Sequence, residues 1–289
     1  MSTIHAIILA IIEGITEFLP ISSTAHMKFA NPLIGEGEST FREMFEVVIQ
    51  LAAILSVVVL YWKRFFDFKK FGFYIKLVIA LIPAILFGVL FKKYIDAALG
   101  NLTFIACVMI GGGIILLFID KYFKAATVHN TDQVSYKNAF VVGCFQVLSI
   151  IFPGLSRSAA TILGGLSQKL DRKVAAEFSF FLAVPTMLAA SIKSFMDACK
   201  ANYAQAHGFS ADVKIHMHEA FGKENLGQLF THDNIVALSV GCIVSFIVAM
   251  LAIRFFIGYL QKHGFQLFGY YRIIVGIAVR VLIYCGVIH

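Results

Sequence analysis

Six apolar runs in this 289-residue chain, near 44–62, 73–91, 102–119, 175–195, 234–256 and 267–288, are each long enough to cross a lipid bilayer. About 20 consecutive apolar residues span the ~30 Å hydrocarbon core as a helix. Lipid offers no hydrogen bonds to an open backbone, so runs of this kind become helices. Composition agrees: 59% of residues are hydrophobic, 14% are charged, and mean hydropathy is +0.83. A soluble domain is roughly half apolar and a quarter charged. The expected fold is an all-α polytopic membrane protein, one integral membrane domain over 1–289. The first residues have no basic region and carry two glutamates in their apolar stretch, which argues against a cleaved signal peptide. The five cysteines are an odd number, and Cys107, Cys144, Cys242 and Cys285 lie in apolar segments, so they read as packing residues.

Two further apolar stretches are broken in the middle. Residues 4–30 contain Glu13, Glu17 and Pro20; residues 138–166 contain Gln146, Pro153, Gly154 and Arg157. Irregular backbone at membrane depth is tolerated only where protein or water covers it, so both read as re-entrant helix–loop–helix segments. One spacing relates them: Glu13 to Gln146, Pro20 to Pro153, Ser23 to Ser156 and Phe45 to Phe178 are all 133 positions apart. Each half then holds one broken segment followed by three spans, and an odd number of spans reverses the second half. The expectation is an inverted-topology repeat, repeat one 1–125 and repeat two 134–289, with the site where the broken segments meet.

Lys and Arg concentrate in 63–76, 120–137, 167–173 and 254–266, which places that side in the cytoplasm. The segments 27–43 and 92–101 and a long loop at 196–233 then face outward. The net charge of +7 reports orientation and contact with anionic lipid, and no nucleic-acid partner is expected.

Glu13 and Glu17 are one helical turn apart and share a face. A charge at the bilayer centre costs about 2.5 kcal/mol or more on insertion scales. The pair either lines a wet crevice or handles a divalent cation or a proton. Pro20 ends that helix. Ser22, Ser23 and Thr24 then open the next, where a cap explains one hydroxyl of the three. His26 follows three residues after Ser23 as an acid/base candidate. In the second stretch Pro153 and Gly154 make a turn, and Ser156, Arg157 and Ser158 open a helix. Free N–H groups and the helix dipole attract an anion there, and Arg157 suits bidentate phosphate binding. Together these groups suit phosphoryl transfer on a lipid carrying a phosphate ester or anhydride. Gly111–Gly113 has no Lys-Ser/Thr after it and is expected to let helices pack closely. His207, His216, His218 and His232 are expected to be solvated in the outer loop.

"EGITEFLPISSTAH" (13–26), "FEVVIQLAAILSVVV" (45–59), "PGLSRSAAT" (153–161) and "FGYYRIIVG" (268–276) occur in an order that resembles the undecaprenyl-diphosphate phosphatase family, the bacitracin resistance proteins. The likeness runs over nearly the whole chain, although the loop at about 200–232 is longer than the family leads one to expect. It implies hydrolysis of undecaprenyl diphosphate to undecaprenyl phosphate and inorganic phosphate, carrier-lipid recycling for the cell wall, and bacitracin resistance. It implies the bacterial plasma membrane, with the active site facing outward, and stimulation by Mg²⁺ or Ca²⁺. The expected catalytic residues are Ser23, His26, Glu17, Glu13 and Arg157. The expected substrate-binding residues are Ser22, Thr24, Gly154, Ser156, Ser158 and Thr161. Glu13 and Glu17 are the expected cation ligands. Partners are the polyprenyl diphosphate and membrane lipids, with a homodimer as a candidate assembly.

Ser22, Ser23, Ser156 and His26 are all open as nucleophiles. Ser23 is favoured because it aligns with Ser156 and lies near His26, which would take its proton or protonate the leaving oxygen; attack by His26, or by a water that Glu17 activates, is the alternative. Two rivals were weighed. A phosphatidic acid phosphatase type 2 site needs a His six residues after its Arg, where this chain has Leu163. A polyprenyl-phosphate flippase shares the broken helices and repeat but would release no phosphate.

Overall fold

The computed structural model describes residues 1–35, 39–67, 69–123, 125–207, 221–222, 226–227 and 230–288. The fold is all-α and carries six helices long and apolar enough to cross a membrane among the described residues. These are α3 (Thr40–Leu60), α5 (Phe71–Leu90), α7 (Leu102–Tyr122), α10 (Arg172–His207), α11 (His232–His263) and α12 (Gln266–Tyr284). All six lie where the apolar runs predict them. Two are longer than expected. α10 has 36 residues, about 54 Å at 1.5 Å per residue, and therefore overshoots the hydrocarbon core. Its last turns, 196–207, are helical where a loop was expected. His207 lies at its exposed end and His232 opens α11, while His216 and His218 lie outside the described residues.

Both broken stretches are broken as expected. α1 (Thr3–Thr16) and α2 (Ser23–Leu33) flank the first turn; α8 (Tyr136–Ile151) and α9 (Arg157–Ser167) flank the second. None of the four has the length to span alone. Short helices α4 (Trp62–Phe65) and α6 (Lys92–Leu99) complete this part of the chain.

Helices in lipid gain little from hiding apolar surface, so close approach of small residues matters more. A Cβ on Gly113 of α7 would lie 2.9 Å from the Gly269 carbonyl of α12, and a Cβ on Gly269 would lie 2.9 Å from the Gly113 carbonyl. The glycine run therefore brings two backbones together, as its sequence context predicts. α1 leans on α11, where a Cβ on Gly14 would meet Val248 and the Ser245 carbonyl; α8 leans on α5, where a Cβ on Gly143 would strike Ala80. Each broken segment thus rests on a spanning helix from the other half of the chain. The abundant phenylalanines supply the core between them. Phe18 in the first turn meets Phe180 of α10 edge-on at 5.2 Å, Phe180 lies 5.9 Å from Phe256 of α11, and Phe256 lies 5.2 Å from Phe268 of α12.

Candidate active site where the two turns meet

Each turn ends on a serine in a backbone conformation that L-residues rarely adopt. Ser22 has φ 72° and Ser156 has φ 77°. Such strain costs on the order of 1–3 kcal/mol and persists only where the surroundings enforce it. Each serine then caps the helix that follows: Ser22 Oγ accepts from the Ala25 N–H, and Ser156 Oγ from the Ala159 N–H. Ser22, not Ser23, is therefore the structural counterpart of Ser156. The spacing of 133 is one residue out at this point, and Ser23 corresponds instead to Arg157. Gly154 is required twice over. Its φ is +99°, and a Cβ there would lie 2.6 Å from the Ile105 carbonyl.

The residue after each cap bonds to Glu17. Ser23 Oγ donates to Glu17 Oε2 at 2.6 Å. Arg157 Nη2 donates to Glu17 Oε1 at 3.0 Å, and its Nη1 to the Ser179 carbonyl at 3.1 Å. One carboxylate from the first turn thus bridges a hydroxyl on its own side and a guanidinium on the other. The Glu17 and Arg157 side chains are 4% and 11% exposed, so the pair is strongly screened from water. Removing one partner of such a pair typically costs about 3–5 kcal/mol, because the other is left charged and alone. Arg157 Nε is buried with no protein partner.

A cavity of about 520 Å³ opens onto this cluster, lined by Glu17, Ser22, Ser23, Thr24, Gly154, Ser156 and Arg157. Seven expected site residues therefore share one space. Four do not line it. Ser158 bridges the turns from behind, with its Oγ 2.9 Å from the Leu19 carbonyl and 3.0 Å from Ser156 Oγ. Thr161 is fully buried and bonds Ser179 Oγ at 2.6 Å and the Arg157 carbonyl at 2.8 Å. Both bond to neighbours of the cluster, and neither lines the cavity.

His26 departs furthest from expectation. Its Nδ1 lies 2.8 Å from the Ser22 carbonyl, and its Nε2 lies 2.9 Å from the Tyr271 hydroxyl, against which the ring also stacks. A carbonyl can only accept, so Nδ1 carries the hydrogen, and in the neutral ring Nε2 accepts from Tyr271. Sequence proximity suggested that His26 takes the Ser23 proton. A helix start turns residues 23 and 26 to different partners, and Glu17 holds that hydroxyl instead.

Glu13 is 2% exposed, and its Oε1 has no hydrogen-bond partner. Glu17 has both oxygens engaged. Among the described residues no three His, Cys, Asp or Glu side chains converge on one point. With Glu13 as its protein ligand, a cation would fill its shell from phosphate and water. Mg²⁺ is commonly held in that way, whereas Ca²⁺ favours six to eight oxygen ligands.

Sequence reasoning missed several participants. Gln50, Gln146, Thr186 and Lys193 also line the cavity, Glu46 accepts from Asn31 Nδ2 at 2.7 Å, and Tyr271 and Arg272 reach the turns from α12. A signal existed for Arg272, since an ionisable residue inside an apolar span is a functional candidate on its own.

Residues 6–278 match the family described as bacitracin resistance protein BacA. Among curated relatives, the chain is 49% identical to an undecaprenyl-diphosphatase of Flavobacterium psychrophilum, over 98% of this chain and 96% of that one. It is 45% identical to an undecaprenyl-diphosphatase of Porphyromonas gingivalis over 99% of both chains. It is 44% identical to one of Bdellovibrio bacteriovorus over 99% of this chain and 98% of that one. With paired turns, a carboxylate–serine–arginine cluster and a match that runs from α1 to α12, this chain belongs to the bacitracin resistance protein BacA family.

Proposed function

We propose that this protein is an undecaprenyl-diphosphate phosphatase that releases inorganic phosphate and leaves undecaprenyl phosphate in the membrane. The observation that carries the reading is Glu17 holding Ser23 with one oxygen and Arg157 with the other. Ser23 Oγ attacks the terminal phosphorus, and Glu17 takes its proton as the O–P bond forms. The phosphorus–oxygen bond to the lipid phosphate breaks, and undecaprenyl phosphate leaves with the bonding electrons. Glu17 passes its proton to the leaving phosphate oxygen; water then attacks the Ser23 phosphoester as Glu17 takes a proton from it, the phosphorus–Oγ bond breaks, and Ser23 Oγ recovers that proton from Glu17. Arg157 lies where charge gathers on the phosphoryl oxygens and neutralises it. The Ser22–Thr24 and Ser156–Arg157 helix starts add backbone N–H groups that have no intrahelical partner. Glu13 would hold a divalent cation such as Mg²⁺, which when bound supplies further neutralisation of diphosphate charge.

The rest of the cavity suits a prenyl chain. Ile85 and Val89 of α5 line it and are also 53% and 74% exposed on the lipid side, so it opens sideways between α5 and α10. The product supplies carrier lipid to cell-wall synthesis, and removing the diphosphate form underlies bacitracin resistance. The inverted repeat remains our reading of the topology. Matching serine caps support it, as does the reciprocal leaning of α1 on α11 and α8 on α5. The basic segments support a site that faces the outside of a bacterial plasma membrane.

Purified protein in detergent, given undecaprenyl diphosphate, should release one phosphate per lipid. A protein that only moved lipid would release none. Cysteines placed in 27–43 should react with an impermeant reagent from outside and those in 65–72 should not; the reverse pattern would overturn the orientation.

A further inference from the structure

Arg272 lies in the middle of α12 with no exposed surface. Among the described residues it makes no ion pair, and its bonds all go to backbone carbonyls. Nη1 donates to Pro20 at 3.1 Å and Leu155 at 2.6 Å, Nη2 to Gly154 at 2.9 Å, and Nε to Met109 at 3.1 Å. Three of the four acceptors belong to the two turns. Pro20 follows the C-terminal end of α1, and Gly154 and Leu155 follow that of α8. Helix C-termini carry carbonyls without intrahelical partners and the negative end of the dipole. Four backbone carbonyls converging on one guanidinium, three of them just beyond those helix ends, explain how its charge is carried without a carboxylate. The fork geometry matters too, since a single ammonium cannot reach both turns and α7 together. The fold makes room for it: a Cβ on Gly112 of α7 would run into the guanidinium.

We propose that Arg272 is a positioning residue for the reaction. It ties the carbonyls of the first turn to those of the second, three residues before Ser23 and two before Arg157, and so sets the gap across which hydroxyl and guanidinium meet the diphosphate. This rests on the roles given above to Ser23 and Arg157. The other links between the turns, Ser158 to Leu19 and Arg157 to Glu17, join the turns directly. Arg272 alone among these anchors them to α7 and α12.

The test is steady-state hydrolysis of undecaprenyl diphosphate by Arg272→Met, Arg272→Lys, Gly112→Ala, Arg157→Ala and the double variant Arg157→Ala/Arg272→Met. A reacting group misplaced by about 1 Å costs on the order of 100-fold in rate. Arg272→Met should therefore lose about 100-fold in kcat with little change in KM, and Arg272→Lys should recover only part of it. Gly112→Ala, whose methyl would meet the guanidinium first and the Leu155 side chain at 3.0 Å, should lose kcat in the same way. If Arg272 acts through Arg157, adding Arg272→Met to Arg157→Ala should cost far less than it does alone. Should Arg272→Met fail to purify as a folded protein, Arg272→Lys and Gly112→Ala decide. Wild-type kcat in folded variants, or full multiplication of losses in the double variant, overturns the proposal. An active Arg157→Ala would overturn the reading of the site instead.

Discussion

The two turns share a backbone and differ in charge. Each ends in a serine with positive φ, each serine caps the next helix, and each of those helices has 11 residues. The first turn brings acids, Glu13 and Glu17. The second has Gln146 where Glu13 would stand and puts Arg157 directly after its cap, where the first has Ser23. Neither turn is a phosphatase site alone. The first holds a base and a hydroxyl with no cation, and the second holds a cation with no base. The two turns share one backbone device, and the proposed chemistry draws on what differs between them.

Breaking the shared carboxylate should do most damage. Glu17→Gln removes the proton acceptor of Ser23 and the partner of Arg157 together, and general-base removal alone costs roughly 10²–10⁴-fold. We expect a kcat loss of about 10³-fold or more, measured as phosphate release. Loss under tenfold would mean that the bridge is only structural.

Arg157→Lys comes next. It keeps the charge of the second turn but loses the planar fork, which now serves Glu17 and the Ser179 carbonyl together. Losing one donor to developing charge costs about 10²–10³-fold in well-studied sites. A near-wild-type rate would reduce Arg157 to a counter-ion.

Glu13→Gln sharpens the comparison further, because it makes the first turn more like the second, which has Gln146. Activity should need about tenfold more Mg²⁺ to reach half-maximum, with a smaller loss at saturation, if Glu13 supplies the cation's one protein oxygen. An unchanged Mg²⁺ titration would remove Glu13 from that role.

The smallest effect lies at the far end of the second turn's support. Asp132, in the loop before α8, pairs with Arg64 and with Lys70 at 3.1 Å, which ties the foot of α5 to the approach to α8. Its hydrogen bond with Arg64, above all, lowers the carboxyl from 3.8 to about 2. A depressed pKa means that this stabilisation is full above about pH 3.8 and fades as pH falls through about 2. The Asp132 side chain is 45% exposed, so Asp132→Asn should cost under about 1 kcal/mol in thermal unfolding at pH 7 and leave kcat alone.

Much of this was legible in the sequence because lipid is an exacting solvent. Apolar runs of fixed length locate the spans, and charged or broken stretches inside them can persist only where they are covered and used. Glu17, Ser23 and Arg157 were therefore visible as a group before any coordinates. What stayed hidden depends on direction. Ser23 and His26 are three residues apart at a helix start, yet the one bonds Glu17 of the preceding turn and the other Tyr271 of α12. Ser158 and Thr161 share a motif with Arg157 but face the protein behind it. The ends of α10 and α11 were misjudged because helix continues past the hydrocarbon core, where hydropathy no longer reports it.

The central claim is that the hydroxyl of Ser23, held by Glu17, attacks phosphorus while Ser22 serves the backbone. The direct measurement is phosphate release by Ser23→Ala and Ser22→Ala, with undecaprenyl diphosphate binding measured on the same preparations. Ser23→Ala should bind lipid and turn over several orders of magnitude more slowly, and Ser22→Ala should lose about 1 kcal/mol of stability with the cap but retain most of its rate. Normal turnover in Ser23→Ala beside a dead His26→Ala would contradict the account and make His26 the attacking group.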